Sequence, residues 1–132
     1  MSRSAPLPCP CGSPRYDTCC APFHHGDALA GTAEQLMRAR YSAYVMHQVP
    51  FLLASWHSST RPSDTELMTA DALALTWLGL SVKRHEQQGD TATVEFVARC
   101  RRGGTSAQRL HELSRFVREQ GRWYYVDGDF LG

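Results

Sequence analysis

The spacing of apolar residues separates the chain into a helical part and a strand-rich part. Apolar side chains recur at helical spacing over residues 32–47, where Thr32 and Gln35 match the capping box that begins a helix. Pro50 suits the first turn of a second short helix, and a further helix is predicted from Ser63. The pattern therefore predicts that helices come first in the chain.

Beyond residue 76 apolar and polar residues alternate, which is typical of half-buried β-strands. The alternation is clearest over residues 91–102, where Val94, Phe96 and Ala98 point to one face. Helices followed by antiparallel strands predict an α+β fold, with the helices on one face of a curved sheet. Glycine-containing turns separate the other predicted strands, which are residues 77–86, 109–118 and 122–127.

The first 31 residues differ in composition from the rest of the chain. Five of the seven prolines lie in this segment, and proline and glycine disfavour regular helices and sheets. We therefore expect a loop-rich knuckle over residues 1–31 and one α+β domain over residues 32–132.

Two short cysteine pairs lie within the first 20 residues, separated by seven residues. Pairs at this spacing can place four sulfur atoms around one tetrahedral ion, and thiolate is a preferred ligand of structural zinc. Four thiolates would fill the coordination shell, so the predicted zinc site is structural and not catalytic. The predicted ligands are Cys9, Cys11, Cys19 and Cys20.

Other arrangements of these cysteines remain open in the sequence. Adjacent cysteines must splay in opposite directions to share an ion, so His24 or His25 is an alternative ligand. Cys19 and Cys20 are also compatible with a strained vicinal disulfide, and the cluster with redox-active or simply buried thiols. Cys100, on the apolar side of its strand, is expected to be a core residue.

The net charge limits the choice of partners. The chain of 132 residues has 14 Lys and Arg against 13 Asp and Glu, so no long-range field attracts it to nucleic acid or to an anionic membrane. No segment has the length and apolar character of a signal peptide or a membrane span. We therefore expect a cytoplasmic protein, in which clustered cysteines bind metal more often than they form disulfides.

The cysteine knuckle, with Gly12, Ser13 and Tyr16 between its two pairs, resembles the SEC-C motif, a zinc-binding module of the SecA translocase tail. The rest of the chain resembles the YchJ-like bacterial family, in which this motif precedes a nuclear transport factor 2-like domain. The resemblance implies a zinc site and a cone made of helices packed on a curved sheet, and it implies no activity. The segments that carry the likeness are residues 36–41, 56–57, 77–80, 96–99, 112–116 and 123–128.

Domains of this kind often hold a pocket between the helices and the concave sheet, so the resemblance makes a pocket worth seeking here. An arginine-lined cup would bind a small carboxylate or phosphate, with His57 as a proton carrier. The polar residues expected to line it are Arg38, Arg40, His57, Arg99, Glu112 and Ser114.

Three functions are compatible with these features. The leading hypothesis is a non-enzymatic adaptor that docks a protein partner through the knuckle, as the SecA precedent implies. The alternatives are a binder or enzyme for a small anion in the cup, and a thiol redox protein. No nucleophile lies beside a plausible base in the sequence, so we expect binding and not catalysis, by a monomer or a homodimer.

Overall fold

The computed structural model describes residues 7–63 and 75–131. None of the helices in these ranges has the length and apolar character needed to span a bilayer. The helices are α1 (Ala21–His24), α2 (Ala33–Met46) and α3 (Val49–Ala54). The strands are β1 (Leu75–Gln88), β2 (Thr91–Arg102), β3 (Gln108–Glu119) and β4 (Arg122–Phe130).

Helix α2 begins and ends where the sequence predicts. Thr32 caps the N-terminus, because its Oγ1 accepts a hydrogen bond from the backbone N–H of Gln35 at 3.1 Å. The Gln35 side chain accepts in turn from the backbone N–H of Gly31 at 2.7 Å. At the other end His47 adopts the left-handed conformation, with φ of 57°, which stops the helix. Pro50 lies in the first turn of α3, as the sequence predicts.

The four strands form one antiparallel sheet in the order β1, β2, β3, β4. In the centre of the sheet, Phe96 on β2 lies opposite Val82 on β1 and Glu112 on β3. The predicted α+β architecture, with an antiparallel meander after the helices, is confirmed. Three strands extend beyond their predicted ends. Strand β3 is longer by one residue at each end, β1 covers Leu75–Gln88, and β4 continues to Phe130.

Two helices differ from expectation or cannot be compared with it. Helix α1 lies in the segment expected to be all loop, and it carries a proline in its first turn. Proline is tolerated there because the first N–H groups of a helix have no partner within the helix. The helix predicted from Ser63 falls on residues 64–74, which lie outside the described residues.

The main core lies between α2 and one face of the sheet. A second, smaller cluster joins the cysteine knuckle to α2 through Ala39, which is fully buried. Phe51 and Leu80 pack against both clusters. Helix α2 is therefore packed on two sides. The buried residues of the main core are Ala33, Leu36, Met37, Tyr41, Ala92, Val94, Ala98, Phe116 and Trp123.

We predict that Phe116→Ala lowers the free energy of unfolding by about 3–5 kcal/mol, because the buried ring leaves a cavity behind. Phe116 is 2% exposed, whereas Phe130, the matched control, is 73% exposed. Phe130→Ala should change the free energy of unfolding by less than about 0.5 kcal/mol. Urea denaturation of the two variants checks this difference, and equal effects would contradict the assigned core.

Candidate metal centre and adjoining cavity

The four predicted cysteine ligands converge on one point. Their sulfur atoms all lie within 4.8 Å of one another. Cys11 Sγ lies 3.6 Å from Cys19 Sγ and 3.8 Å from Cys20 Sγ. Sulfur atoms around a tetrahedral zinc ion with Zn–S bonds of about 2.3 Å are separated by about 3.8 Å. The cluster therefore has the spacing that one tetrahedral ion requires.

Tight turns bring the two cysteine pairs together. The first turn is closed by a hydrogen bond from Gly12 N to Cys9 O at 3.0 Å, and Gly12 has φ of 113°, which favours glycine. The second pair is presented by a turn in which Cys19 N donates to Tyr16 O at 3.0 Å. Cys20 is the N-cap residue of α1, and the sulfurs of both adjacent cysteines reach the same cluster.

Helix α2 supplies the polar surroundings of the cluster. Ser42 Oγ lies 3.2 Å from Cys20 Sγ and 3.4 Å from Cys9 Sγ, and it is fully buried. Arg38 donates from NH1 to the backbone oxygen of Cys11 at 3.3 Å. Ser42 therefore places a hydroxyl beside the sulfurs, and Arg38, which also pairs with Glu34, holds the backbone of the first cysteine turn.

The alternative ligand His24 is held away from the cluster. Its Nε2–H donates to the backbone oxygen of Ala39 at 2.7 Å, and its Nδ1 accepts from the hydroxyl of Tyr16 at 2.7 Å. Burial lowers the pKa of His24, which agrees with a neutral ring in this tautomer. Both ring nitrogens are engaged, and His25 is exposed, so the geometry favours the four sulfurs as the ligand set.

The thiols interact strongly even without an ion. A hydrogen bond from the thiol of Cys20 lowers the pKa of Cys11 to about 5. The same hydrogen bond, together with burial, raises the pKa of Cys20, and burial raises the pKa of Cys19. The cluster thus favours ionisation of one of its thiols, and a bound metal would displace the remaining protons. Cys19 and Cys20 are free thiols with sulfurs 3.8 Å apart, well beyond disulfide bonding distance.

A cavity of about 240 Å³ lies on the other side of α2, between the helix and the sheet. One of its lining residues, Phe130, is 73% exposed. The residues that line it are Met37, Arg40, Tyr41, Tyr44, Trp77, Phe96, Ala98, Leu110, Glu112, Ser114, Phe116, Tyr125 and Phe130. Most of the wall is apolar or aromatic, with a small number of polar groups, which is the usual composition of a small-molecule site.

Glu112 and Ser114 are the acidic and hydroxyl groups of the cavity. Ser114 Oγ donates to Glu112 Oε1 at 3.1 Å. Burial raises the pKa of Glu112, while the Ser114 hydrogen bond and the charge of Arg40 oppose this effect. A Cβ atom at Gly128 would collide with the Glu112 carboxylate. The absence of a side chain at Gly128 therefore makes room for this carboxylate.

Arg40 is the cation of the cavity, and it is 5% exposed. Its NH1 donates to the backbone oxygen of Leu52 at 2.8 Å and to Ser55 Oγ at 2.7 Å. Its guanidinium lies over the rings of Trp56 and Tyr125, 4.8 and 4.5 Å from the ring centroids. Hydrogen bonds and ring faces thus replace the water that Arg40 loses on burial.

The structure brings together Arg40, Glu112 and Ser114 but not the other predicted lining residues. Arg38 lies two positions from Arg40, which turns it about 200° around the helix to the knuckle side. Arg99 follows the inward-facing Ala98, so strand alternation directs it outward, and it is exposed opposite Arg109.

His57 lies outside the cavity, at the surface after α3. Its Nε2 lies 3.0 Å from Glu119 Oε2, and its Nδ1 lies 2.7 Å from Ser59 Oγ. These contacts use both ring nitrogens. The structure does not bring His57 to the predicted cup, because the segment that follows α3 pairs with β4 and its imidazole contacts Glu119.

Comparison with known proteins gives a consistent family assignment. A family described as "YchJ, middle NTF2-like domain" matches residues 32–128. The chain belongs to the YchJ-like family. A UPF0225 protein of Ralstonia nicotianae is 58% identical, with 98% of this chain and 99% of the relative covered. A UPF0225 protein of Bordetella parapertussis is 57% identical, with 96% and 95% covered.

Two solved structures are similar to this YchJ-like protein over nearly its whole length. The solution structure of a SEC-C motif containing protein from Rhodopseudomonas palustris has a TM-score of 0.86 and 34% identity, with 96% of this chain and 100% of the other covered. The crystal structure of a SEC-C motif containing protein from Psychrobacter arcticus has a TM-score of 0.80 and 29% identity, with 93% and 82% covered. The predicted nuclear transport factor 2-like fold is thereby confirmed.

We predict that Glu112→Gln makes the YchJ-like protein more stable near neutral pH. The folded-state pKa of Glu112 is raised, so its ionised form opposes folding above that pKa, and the amide removes this charge. The cost disappears as the pH falls through the raised pKa towards the ordinary value of about 4.3. Urea denaturation at several pH values should therefore show a stability difference that shrinks on acidification. A difference that grows with falling pH would contradict the burial of this carboxylate.

Proposed function

We propose that this YchJ-like protein is a zinc-stabilised ligand-binding protein, in which the zinc ion is structural and the cavity is the binding site. The observation that carries the proposal is the position of α2 between the two. Ser42 and Arg38 contact the cysteine cluster from one side of the helix, and Arg40 and Tyr44 line the cavity from the other. An ion that fixes the knuckle on α2 therefore also fixes one wall of the cavity.

Zinc is the ion that this ligand set favours. Four thiolates at tetrahedral spacing select zinc or an iron–sulfur centre, and one tetrahedral ion fits sulfurs 3.6 to 3.8 Å apart. Zinc with four thiolates carries a net charge of about −2 by formal counting. The Ser42 hydroxyl lies beside the cluster and stabilises this charge. Thiols kept reduced for metal binding also suit the cytoplasm.

The metal site is structural in this proposal because its shell is full. A catalytic zinc ion keeps a position for water or substrate, and four thiolates leave none. Cys9, Cys11 and Cys20 are also buried, with exposures of 4%, 4% and 1%. Burial limits access by a second thiol or an oxidant, so it disfavours the redox alternative.

The cavity favours binding over covalent catalysis. No cysteine, histidine or lysine is present among the described residues that line it. The Ser114 hydroxyl donates directly to the Glu112 carboxylate, without the imidazole or amine that most often activates a serine nucleophile. Apolar walls with few polar groups are suited to holding a small molecule in one orientation.

Docking of a protein partner through the knuckle is a second proposal. The exposed apolar residues Leu7 and Leu29, which are 57% and 59% exposed, are available to such a partner. Only a contiguous apolar patch marks an interface, and the two leucines are not shown to form one. Phe23, in contrast, packs against the cysteine cluster, and Arg15 is paired with Asp17. The specific support for docking is therefore smaller than the support for a ligand in the cavity.

We predict one zinc ion per chain in protein purified under reducing conditions, as measured by elemental analysis. Cys11→Ser and Cys20→Ser should each lose most of the zinc, because a hydroxyl replaces a thiolate ligand. Cys100→Ser is the matched control, since Cys100 is also buried but lies outside the cluster. Wild-type protein without zinc, or full zinc content in both cluster variants, would contradict the site. Zinc loss from His24→Gln would restore that histidine as a ligand.

We also predict that removing the zinc with a chelator loosens α2. Hydrogen exchange of the amides of residues 33–46 should become faster, because the knuckle no longer covers one side of the helix. The paired amides of β3 and β4 serve as the internal control and should change much less. Unchanged exchange in α2 after verified removal of zinc would contradict the mechanical link between the metal site and the cavity wall.

A further inference from the structure

We propose that the cavity binds a small neutral molecule with a largely apolar body and one hydrogen-bond donor, which donates to Glu112. This inference rests on the proposed ligand-binding function and narrows it to one chemical class. It also departs from the small anion that the arginines in the sequence suggest.

The size and walls of the cavity define the body of the ligand. A volume of about 240 Å³ is many times the space of a single water and lies just below the usual range for small-molecule sites, so it suits a small ligand. Trp77, Phe96, Leu110 and Tyr125 present apolar surface from four strands and leave few hydrogen bonds for water. An apolar or aromatic body that displaces this water gains free energy in proportion to the area it buries.

Glu112 supplies the acceptor for the ligand. Among the described residues, Ser114 Oγ is the only hydrogen-bond donor to its carboxylate, and that bond uses Oε1. A carboxylate can accept about four hydrogen bonds, so a large part of its capacity is unused. A ligand O–H or N–H that donates to Glu112 forms a charge-assisted hydrogen bond, which is stronger than one between neutral groups.

Protein groups already hold much of the Arg40 guanidinium, which reduces what it can offer an anion. Its NH1 is already committed to Leu52 and Ser55 at the end of α3. The face of the guanidinium is covered by two rings, those of Trp56 and Tyr125. An anion in the cavity would also be repelled by the carboxylate of Glu112, which lines the same space.

The charges of the lining residues also disfavour a cationic ligand. Arg40 and Glu112 interact electrostatically, and each shifts the pKa of the other. Their charges offset each other, so the occupied cavity stays balanced only if the ligand is neutral. A cationic ligand would leave an uncompensated positive charge beside Arg40 in a largely apolar environment, which is unfavourable.

The test compares four probes that share one naphthalene skeleton, using calorimetry on the zinc-loaded full chain near neutral pH. The probes are 2-naphthol, 2-methoxynaphthalene, 2-naphthoate and 2-naphthylmethylamine, which is cationic at that pH. We expect 2-naphthol to bind at least about tenfold more tightly than each of the others, as one hydrogen bond or one unpaired charge accounts for such a factor.

Variants separate the role of Glu112 from general effects on the fold. Glu112→Met should remove the preference for 2-naphthol over 2-methoxynaphthalene, because the acceptor is gone. Glu112→Gln, which keeps the shape, should weaken 2-naphthol binding and relieve the repulsion of 2-naphthoate, and it provides the test if Glu112→Met does not fold. Glu95→Gln is the matched control, since Glu95 pairs with His111 away from the cavity, and it should leave all four affinities unchanged.

The possible failures are distinguishable. Tightest binding of 2-naphthoate or of the amine would overturn the neutral class and leave the proposed ligand-binding function intact. Equal binding of 2-naphthol and 2-methoxynaphthalene would overturn the role of Glu112. No binding of any of the four probes to the zinc-loaded protein would overturn both this inference and the proposed function of the cavity.

Discussion

The rest of the structure depends on the packing of α2 on two sides. Residues two positions apart on a helix face in nearly opposite directions, so one helix can serve two clusters. On the knuckle side, Ala39 and Ser42 are small and fully buried, which lets the cysteine turns approach closely. On the sheet side, Arg40, Tyr41 and Tyr44 are large and reach the cavity. Small residues on one side of α2 and large residues on the other therefore set how closely the cysteine knuckle and the sheet approach the helix.

The buried guanidinium of Arg40 connects this helix to the remaining elements. A buried cation is unfavourable unless its lost water is replaced, and Leu52, Ser55 and two aromatic rings replace it. The same region is closed by backbone hydrogen bonds, from Tyr125 N to Ser55 O at 2.9 Å and from His57 N to Tyr125 O at 2.7 Å. Arg40 therefore links α2, the end of α3 and β4. A shift of one of these elements would change the part of the cavity wall formed by Arg40 and Tyr125.

Much of the fold and of the cysteine cluster could be predicted from the sequence, because both depend on local spacing. The period of the apolar residues predicts α2 and the strands, and the cysteine spacing identifies the four sulfurs that converge. The cavity lining was harder. Because α2 is buried on both sides, its sequence lacks a single apolar stripe that would separate Arg38 from Arg40. The outward position of Arg99, by contrast, was predictable from the sequence, because alternation along a strand points Arg99 and Ala98 to opposite faces.

The position of His57 shows a limit of another kind. It depends on the pairing of the segment after α3 with β4, a contact between residues far apart in the chain. No local pattern in the sequence encodes that contact. Glu119, which contacts His57, is 62 residues away in the chain. The spacing of apolar residues therefore gives no information about which groups contact His57.

The cavity itself requires an explanation, because protein interiors are usually close-packed. Small residues at three inward positions, Ala98, Ser114 and Gly128, leave the space open. Gly128 in particular makes room for the carboxylate of Glu112, whose burial disfavours its charged form. An apolar residue at position 112 would fill this space and avoid that cost. An open cavity and a carboxylate with few hydrogen bonds both lower the stability of the fold. A bound ligand with an apolar body and a hydrogen-bond donor would fill the cavity and also donate to Glu112.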